Sequence, residues 1–188
     1  MDWSTLPEVG VDKLTIVDKA RYFATAAHAA VGQKRKYSDD DYIVHPIRVA
    51  NLVKQYGGTE EMIAAAYLHD VVEDTDVTMD TITSLFGSVV ASLVKDLTDV
   101  SKPSDGNREA RKTIDRQHLA QASADAQFVK CADIIDNSWD IAENDPKFWP
   151  VYRREMIQVL DSMRKVYKTD IWLTALEKVT GVRKLRAS

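Results

Sequence analysis

Ala64-Ala65-Ala66-Tyr67-Leu68-His69-Asp70-Val71-Val72-Glu73-Asp74 reads as the closing turns of a helix, small and apolar first and polar at the end. His69 and Glu73 are four residues apart, as are Asp70 and Asp74, which puts each pair on one side of a helix. An imidazole beside a carboxylate is a donor pair that a divalent transition metal accepts. The two carboxylates one turn on are spaced to handle a water. The plainer alternative is a solvated C-terminal turn, but the helix dipole disfavours carboxylates there. Three of them together point to a positive charge among them.

The chain on either side reads as further helices. Thr59 is an N-cap for this one, with Glu60 and Glu61 in its first turn. Before it, His45-Pro46 opens a helix with the stripe Ile47, Val49, Ala50, Leu52, Val53 and Tyr56, stopped by Gly57-Gly58. Leu14 to about Val31 is an earlier helix ended by Gly32, after an irregular lead-in over 1–12. Beyond the central stretch, Thr78 caps a short helix through Leu85, and Phe86-Gly87-Ser88 separates it from one over Val89–Leu97. Residues 98–107 are a long loop. Helices follow over Arg108–Ala122, Asp125 to about Ala142, Phe148–Tyr167 and Thr169–Val179, then a basic tail at Arg183-Lys184-Leu185-Arg186. No alternating run suggests a strand, so the expected class is all-α: one domain over 1–188, with its motif-bearing core at about 14–142 and C-terminal helices at about 146–180.

The 45% hydrophobic and 29% charged residues are those of a globular domain. A net charge of −4 weighs against coating a nucleic-acid polymer. A single cysteine, Cys131, excludes an internal disulfide and fits a reducing compartment. No apolar run approaches the ~20 residues of a membrane span, and Met1-Asp2-Trp3-Ser4 opens no signal pattern. A cytoplasmic protein without a membrane partner is expected.

A metal needs donors from several helices. His45, at a helix start, reads either as a ligand or as a capping residue. Asp133, in Lys130-Cys131-Ala132-Asp133-Ile134-Ile135-Asp136-Asn137, interrupts an apolar face. It reads either as a distant ligand, with Asn137 orienting it or a substrate group, or as a surface carboxylate paired with Lys130. The loop Gln33-Lys34-Arg35-Lys36-Tyr37-Ser38-Asp39-Asp40-Asp41 turns from basic to acidic. Its cations are either a solvated run or an anion site.

These residues carry a resemblance. His45, His69-Asp70 and Asp133 resemble the H…HD…D signature of the HD-domain metal-dependent phosphohydrolases. Gly32-Gln33-Lys34-Arg35-Lys36, Tyr42 to Ala50, Leu68 to Thr75, Phe86-Gly87 with Val90 to Val94, and Lys130 to Asn137 are similar, in order, to the hydrolase domain of the RelA/SpoT family. No synthetase or regulatory region is recognised after it, so the expectation is a stand-alone small alarmone hydrolase, an HD-domain helical bundle with its metal site between helices. The resemblance implies one metal, usually manganese, on His45, His69, Asp70 and Asp133, with Glu73 and Asp74 positioning or deprotonating the attacking water. It implies cleavage of the 3′-pyrophosphate of ppGpp or pppGpp, with Arg35 stacking on the base and Lys36 lining the pocket. Lys102, Arg108 and Arg111 are candidates for the 5′-phosphates, and Tyr152 for a pocket aromatic. Other HD nucleotide hydrolases, acting on deoxynucleotides or NADPH, and a nucleotide sensor without turnover share much of this pattern. The chain departs from the family in Ser38-Asp39-Asp40-Asp41, in Cys131, and in Trp139, where an arginine is usual. Trp139, Phe148, Trp149 and Trp172 read either as an exposed self-association surface for a homo-oligomer or, as apolar residues of late helices usually are, as core.

Overall fold

The computed structural model describes residues 14–181, so the lead-in and the basic tail lie outside the described residues. Its helices are α1 (Ile16–Ala30), α2 (Val44–Gln55), α3 (Glu60–Leu68), α4 (Val71–Asp74), α5 (Met79–Leu97), α6 (Arg108–Gln121), α7 (Ala124–Asn144), α8 (Trp149–Ser162) and α9 (Asp170–Thr180). Among the described residues there is no strand, only an isolated bridge between Lys34 and Asp41. None of these helices is long and apolar enough to cross a membrane.

The centre of the bundle is α3, buried from Met62 to Leu68 and packed by α1, α2, α5 and α7. Its alanines explain that position: Ala64, Ala65 and Ala66 have no exposed surface, and side chains that small let surrounding helices approach closely. Thr59 starts the helix, its hydroxyl accepting from the Met62 amide at 3.3 Å. The turn before it requires glycine. Gly57 has φ +84°, and a Cβ on Gly58 would sit 2.5 Å from Cγ1 of Val53.

Two boundaries differ from the expectation. The helix through Ala64 does not run unbroken to Asp74; it stops at Leu68, and α4 resumes at Val71. The Nδ1 of His69 lies 2.8 Å from the carbonyl oxygen of Ala66, an acceptor that a continuous helix gives to the amide of Asp70. The reading of 148–167 as one helix also fails, because α8 ends at Ser162 and a 3-10 turn follows over Arg164–Val166. In α5 the expected break is present as a kink, with Gly87 at φ +79° between two helical segments.

The last helices close the bundle, α9 packing on α7 and α8. This puts Trp172 in the core, its indole N–H donating to the Leu160 carbonyl at 2.9 Å. Trp172 therefore leaves the set of aromatics read as exposed. Phe148 and Trp149 are half-buried, and Trp139 is 58% exposed.

Candidate metal centre and nucleotide cavity

Four elements bring their polar ends together at the base of α3. His45 comes from the first turn of α2, His69 and Asp70 from the break between α3 and α4, and Asp133 from the middle of α7. The two histidine Nε2 atoms are 3.3 Å apart. Oδ2 of Asp70 is 3.1 Å from Nε2 of His69 and 3.7 Å from that of His45. Oδ1 of Asp133 is 3.2 Å from Nε2 of His45 and 3.8 Å from that of His69. His45, His69 and Asp133 are buried and Asp70 is partly so.

The outer nitrogens decide what this cluster can hold. Nδ1 of His45 is 2.7 Å from Oδ2 of Asp136, and Nδ1 of His69 faces the Ala66 carbonyl. Both partners are acceptors, so the neutral rings carry their protons on Nδ1 and turn their Nε2 lone pairs toward each other. Two buried lone pairs at that distance repel unless a cation lies between them. A divalent ion meets that need, and two imidazoles with two carboxylates suit one. Without a metal, a proton takes that place. Burial lowers the pKa of His69, but the charge and hydrogen bond of Asp70, with Asp133 behind them, overcome it and push it up to about 9. The pKa of Asp70 is lowered: burial works against ionisation, and His69 and His45 outweigh it.

Asp133 is buried, not at the surface as one reading had it, and its two oxygens have different partners. While Oδ1 faces the histidines, Oδ2 is 2.7 Å from Nζ of Lys130. Nδ2 of Asn137 donates to Oδ1 at 2.6 Å, one helical turn on. The hydroxyl of Tyr42 donates to Oδ2 of Asp70 at 2.5 Å, and its ring lies against that of buried His28 at 4.7 Å.

Glu73 and Asp74 stand beside the cluster, each with one partner. Oε1 of Glu73 accepts the Asp99 amide at 2.6 Å. Desolvation, helped by the charges of Asp99 and Asp70, pushes its pKa up to about 7, against the Asp99 amide and Lys130. Oδ2 of Asp74 accepts from Nε2 of Gln33 at 2.8 Å, and Oε1 of Gln33 is 2.7 Å from Nδ1 of His28.

Next to the donors lies a cavity of about 310 Å³, lined by Arg35, Lys36, Tyr42, Asn137, Asp140 and Phe148 among others. Arg35 is ion-paired with Asp140 there. Nζ of Lys36 is 2.9 Å from the Tyr37 hydroxyl and 3.3 Å from Oδ2 of Asp145. The acidic end of the loop folds back, Asp41 pairing with Lys34 at 2.6 Å. Trp139 has the Arg48 guanidinium 5.6 Å from its ring.

The remaining candidates are less central. Arg108 pairs with Glu155 at 2.8 Å and lies 5.2 Å from the ring of Phe148, at the cavity edge. Lys102 is exposed and starts a 3-10 turn through its amide bond to Asp105. Arg111 keeps a buried Nε without a hydrogen-bond partner. Tyr152 is buried on α8, its ring 6.0 Å from that of Trp149, and burial followed by the charge of Asp133 raises its pKa.

Sequence reasoning assigned no role to Asp136, Asp140, Tyr42 or His28. A signal existed for the first two. Asp133, Asp136, Asn137 and Asp140 recur at i, i+3, i+4 and i+7 along α7, a polar stripe on an otherwise buried helix.

An all-α bundle with this donor set between its helices is the architecture of an HD-domain protein. The HD-domain family model matches residues 20–164, and the chain belongs to that family. Membership implies a divalent metal. A Synechocystis protein described as a probable guanosine-3′,5′-bis(diphosphate) 3′-pyrophosphohydrolase is 40% identical over 142 residues, which are 72% of this chain and only 18% of the relative. The Drosophila melanogaster guanosine-3′,5′-bis(diphosphate) 3′-pyrophosphohydrolase MESH1 is 34% identical over 140 residues, 70% of this chain and 76% of the fly protein. The solved structure of a metazoan SpoT orthologue, described as hydrolysing ppGpp, superposes with a TM-score of 0.75 at 28% identity, covering 88% of this chain and 94% of that one.

Proposed function

We propose that this chain hydrolyses the 3′-pyrophosphate of ppGpp and pppGpp, releasing pyrophosphate with GDP or GTP, and that its metal is manganese on His45, His69, Asp70 and Asp133. The observation that carries a hydrolase reading is Asn137, which lines the cationic cavity and holds the Asp133 oxygen that faces the two histidines. Substrate pocket and donor cluster thus share one turn of α7. The choice of guanosine 3′-pyrophosphate is supported by what the relatives in Synechocystis and Drosophila are described as cleaving.

In the reaction a water oxygen bonds to the phosphorus carried by the ribose 3′-oxygen. The bond between that phosphorus and the 3′-oxygen breaks, pyrophosphate leaves with the new oxygen, and the ribose oxygen takes a proton. A divalent ion, when bound, supplies Lewis-acid activation of water and offsets charge on the phosphoryl oxygens. Glu73 takes the water proton: in the metal-free chain its pKa is pushed up to about 7, in the range of general-base work at neutral pH. Asp74, fixed by Gln33, orients the water. Arg35 offers a flat guanidinium for base stacking, and Lys36 a point charge for phosphate.

Incubating the manganese-loaded protein with ppGpp, pppGpp, dATP, dGTP and NADPH separates the readings. Pyrophosphate from ppGpp and pppGpp is the expected product. Triphosphate from a deoxynucleotide or phosphate from NADPH, with ppGpp left intact, would overturn the substrate, and tight ppGpp binding without any product would make the chain a sensor.

A further inference from the structure

We propose that Asp115, on α6, is a positioning residue for Glu73, acting through the loop that joins α5 to α6; this rests on the reading of Glu73 as the base. Asp115 is 7% exposed and touches none of the four metal donors through any hydrogen bond or ion pair among the described residues. Its carboxylate is engaged with the loop instead. Oδ1 accepts the amides of Val100 at 3.1 Å and Ser101 at 2.9 Å, and Oδ2 accepts the Ser101 hydroxyl at 2.9 Å. The next residue back, Asp99, donates its amide to Oε1 of Glu73 at 2.6 Å. Lys112, one turn before Asp115, grips the same segment, with Nζ 2.7 Å from Oδ2 of Asp99 and 3.7 Å from Oδ2 of Asp115.

The chain of contacts has a directional consequence. Residues 98–107 carry only one 3-10 turn of regular structure, so their first four residues need external anchors to keep a fixed place. A buried carboxylate bonded to two consecutive amides is such an anchor, because losing it leaves both donors unsatisfied. With the Asp99 amide held still, Oε1 of Glu73 is occupied and Oε2 is the oxygen left to take a proton. Misplacing a base by a fraction of an ångström lowers turnover without changing how the nucleotide is held.

The test compares Asp115→Ala, Asp115→Asn and Ser101→Ala in the manganese-loaded full chain. Steady-state ppGpp hydrolysis is measured beside hydrogen exchange of the 98–101 amides. Asp115→Ala should lower kcat by about tenfold or more, leave KM within about twofold, and speed exchange of the Asp99 amide by a similar factor. Asp115→Asn should recover most of both, since its Oδ1 still accepts the two amides, and Ser101→Ala should lower kcat by about threefold. Wild-type kcat and amide protection in Asp115→Ala would overturn the proposal. So would equal loss in the Ala and Asn variants with KM raised in both, which would mark a general structural role. Should Asp115→Ala not fold, the Asn and Ser101 variants decide on the same criteria. Should the wild type release no pyrophosphate, the substrate reading falls, and amide exchange still decides whether Asp115 holds the loop.

Discussion

His45 and His69 each use their outer nitrogen to fix the ring, on Asp136 and on the Ala66 carbonyl, and turn the inner nitrogen to a shared point. Across the cavity Arg35 and Lys36 do the reverse: their charged ends, the parts a nucleotide would use, are held by Asp140 and Asp145. The imidazoles are preorganised, their rings fixed from behind and their working nitrogens turned inward. The cavity cations are preorganised by carboxylates of this same chain, which fix where a nucleotide would meet them. On the proposed function, reaction type resides in the cluster and substrate selectivity in where those ion pairs hold the cations.

The contrast is broken most completely by His69→Ala. It removes an inward nitrogen that no neighbour can replace, and is expected to abolish bound metal and lower turnover by roughly a thousandfold or more. Its companion, Glu73→Gln, is expected to keep full metal content while losing about a hundredfold or more in kcat, the worth of a general base. Metal analysis of the purified variants checks the division: a metal-free Glu73→Gln protein would place Glu73 among the ligands. One step down is Asp136→Ala. It leaves every donor in place but frees the His45 ring, and should weaken metal affinity by about ten- to a hundredfold. Titration with a chelator measures this, and an unchanged affinity would make Asp136 dispensable to the cluster.

On the cavity side, Asp140→Ala is expected to act on binding alone. The Arg35 side chain is 10% exposed and its guanidinium is held by Asp140, so removing the acid leaves a nearly buried cation without its partner and free to turn away. We expect KM for ppGpp to rise by roughly tenfold with kcat little changed, the signature of lost uniform binding. A drop in kcat at constant KM would show that the pair feeds into the chemistry, and the contrast between the two regions would then be too sharp.

Much of this was legible in the sequence for a physical reason. An alanine-rich helix that ends in four ionisable residues is anomalous in hydropathy and in dipole electrostatics at once, so His69, Asp70, Glu73 and Asp74 stand out. The break at Asp70 was not legible, because it follows from where the His69 ring points rather than from any helix-breaking residue type. Asp136 and Asp140 were hidden for another reason. Their partners are 91 and 105 residues away, and a carboxylate on a long helix looks solvated until the opposing helix is known. Trp172 misled in the opposite direction, since only the docking of α9 onto α7 and α8 shows that its face is covered.

Glu73 is held from outside both regions, by the Asp99 amide, and its smallest expected effect is on stability. It is exposed, yet its pKa stands near 7, well above the ordinary glutamate range. Below about pH 4.5 the carboxyl is protonated in both the folded and the unfolded chain and makes no difference between them. Between that pH and about 7 the unfolded chain releases the proton while the folded chain retains it, so folding stability falls as pH rises across this window. Glu73→Gln has no proton to release and keeps an oxygen for the Asp99 amide. In chelator-treated protein the variant should match the wild type near pH 4 and exceed it by about 1 kcal/mol at pH 8, after allowance for solvent screening of an exposed group. Urea unfolding at the two pH values checks this. Parallel curves would mean that water reaches Glu73 freely in the folded chain, and the raised pKa that suits it to act as a base would have to come from the negative charge of the bound nucleotide instead.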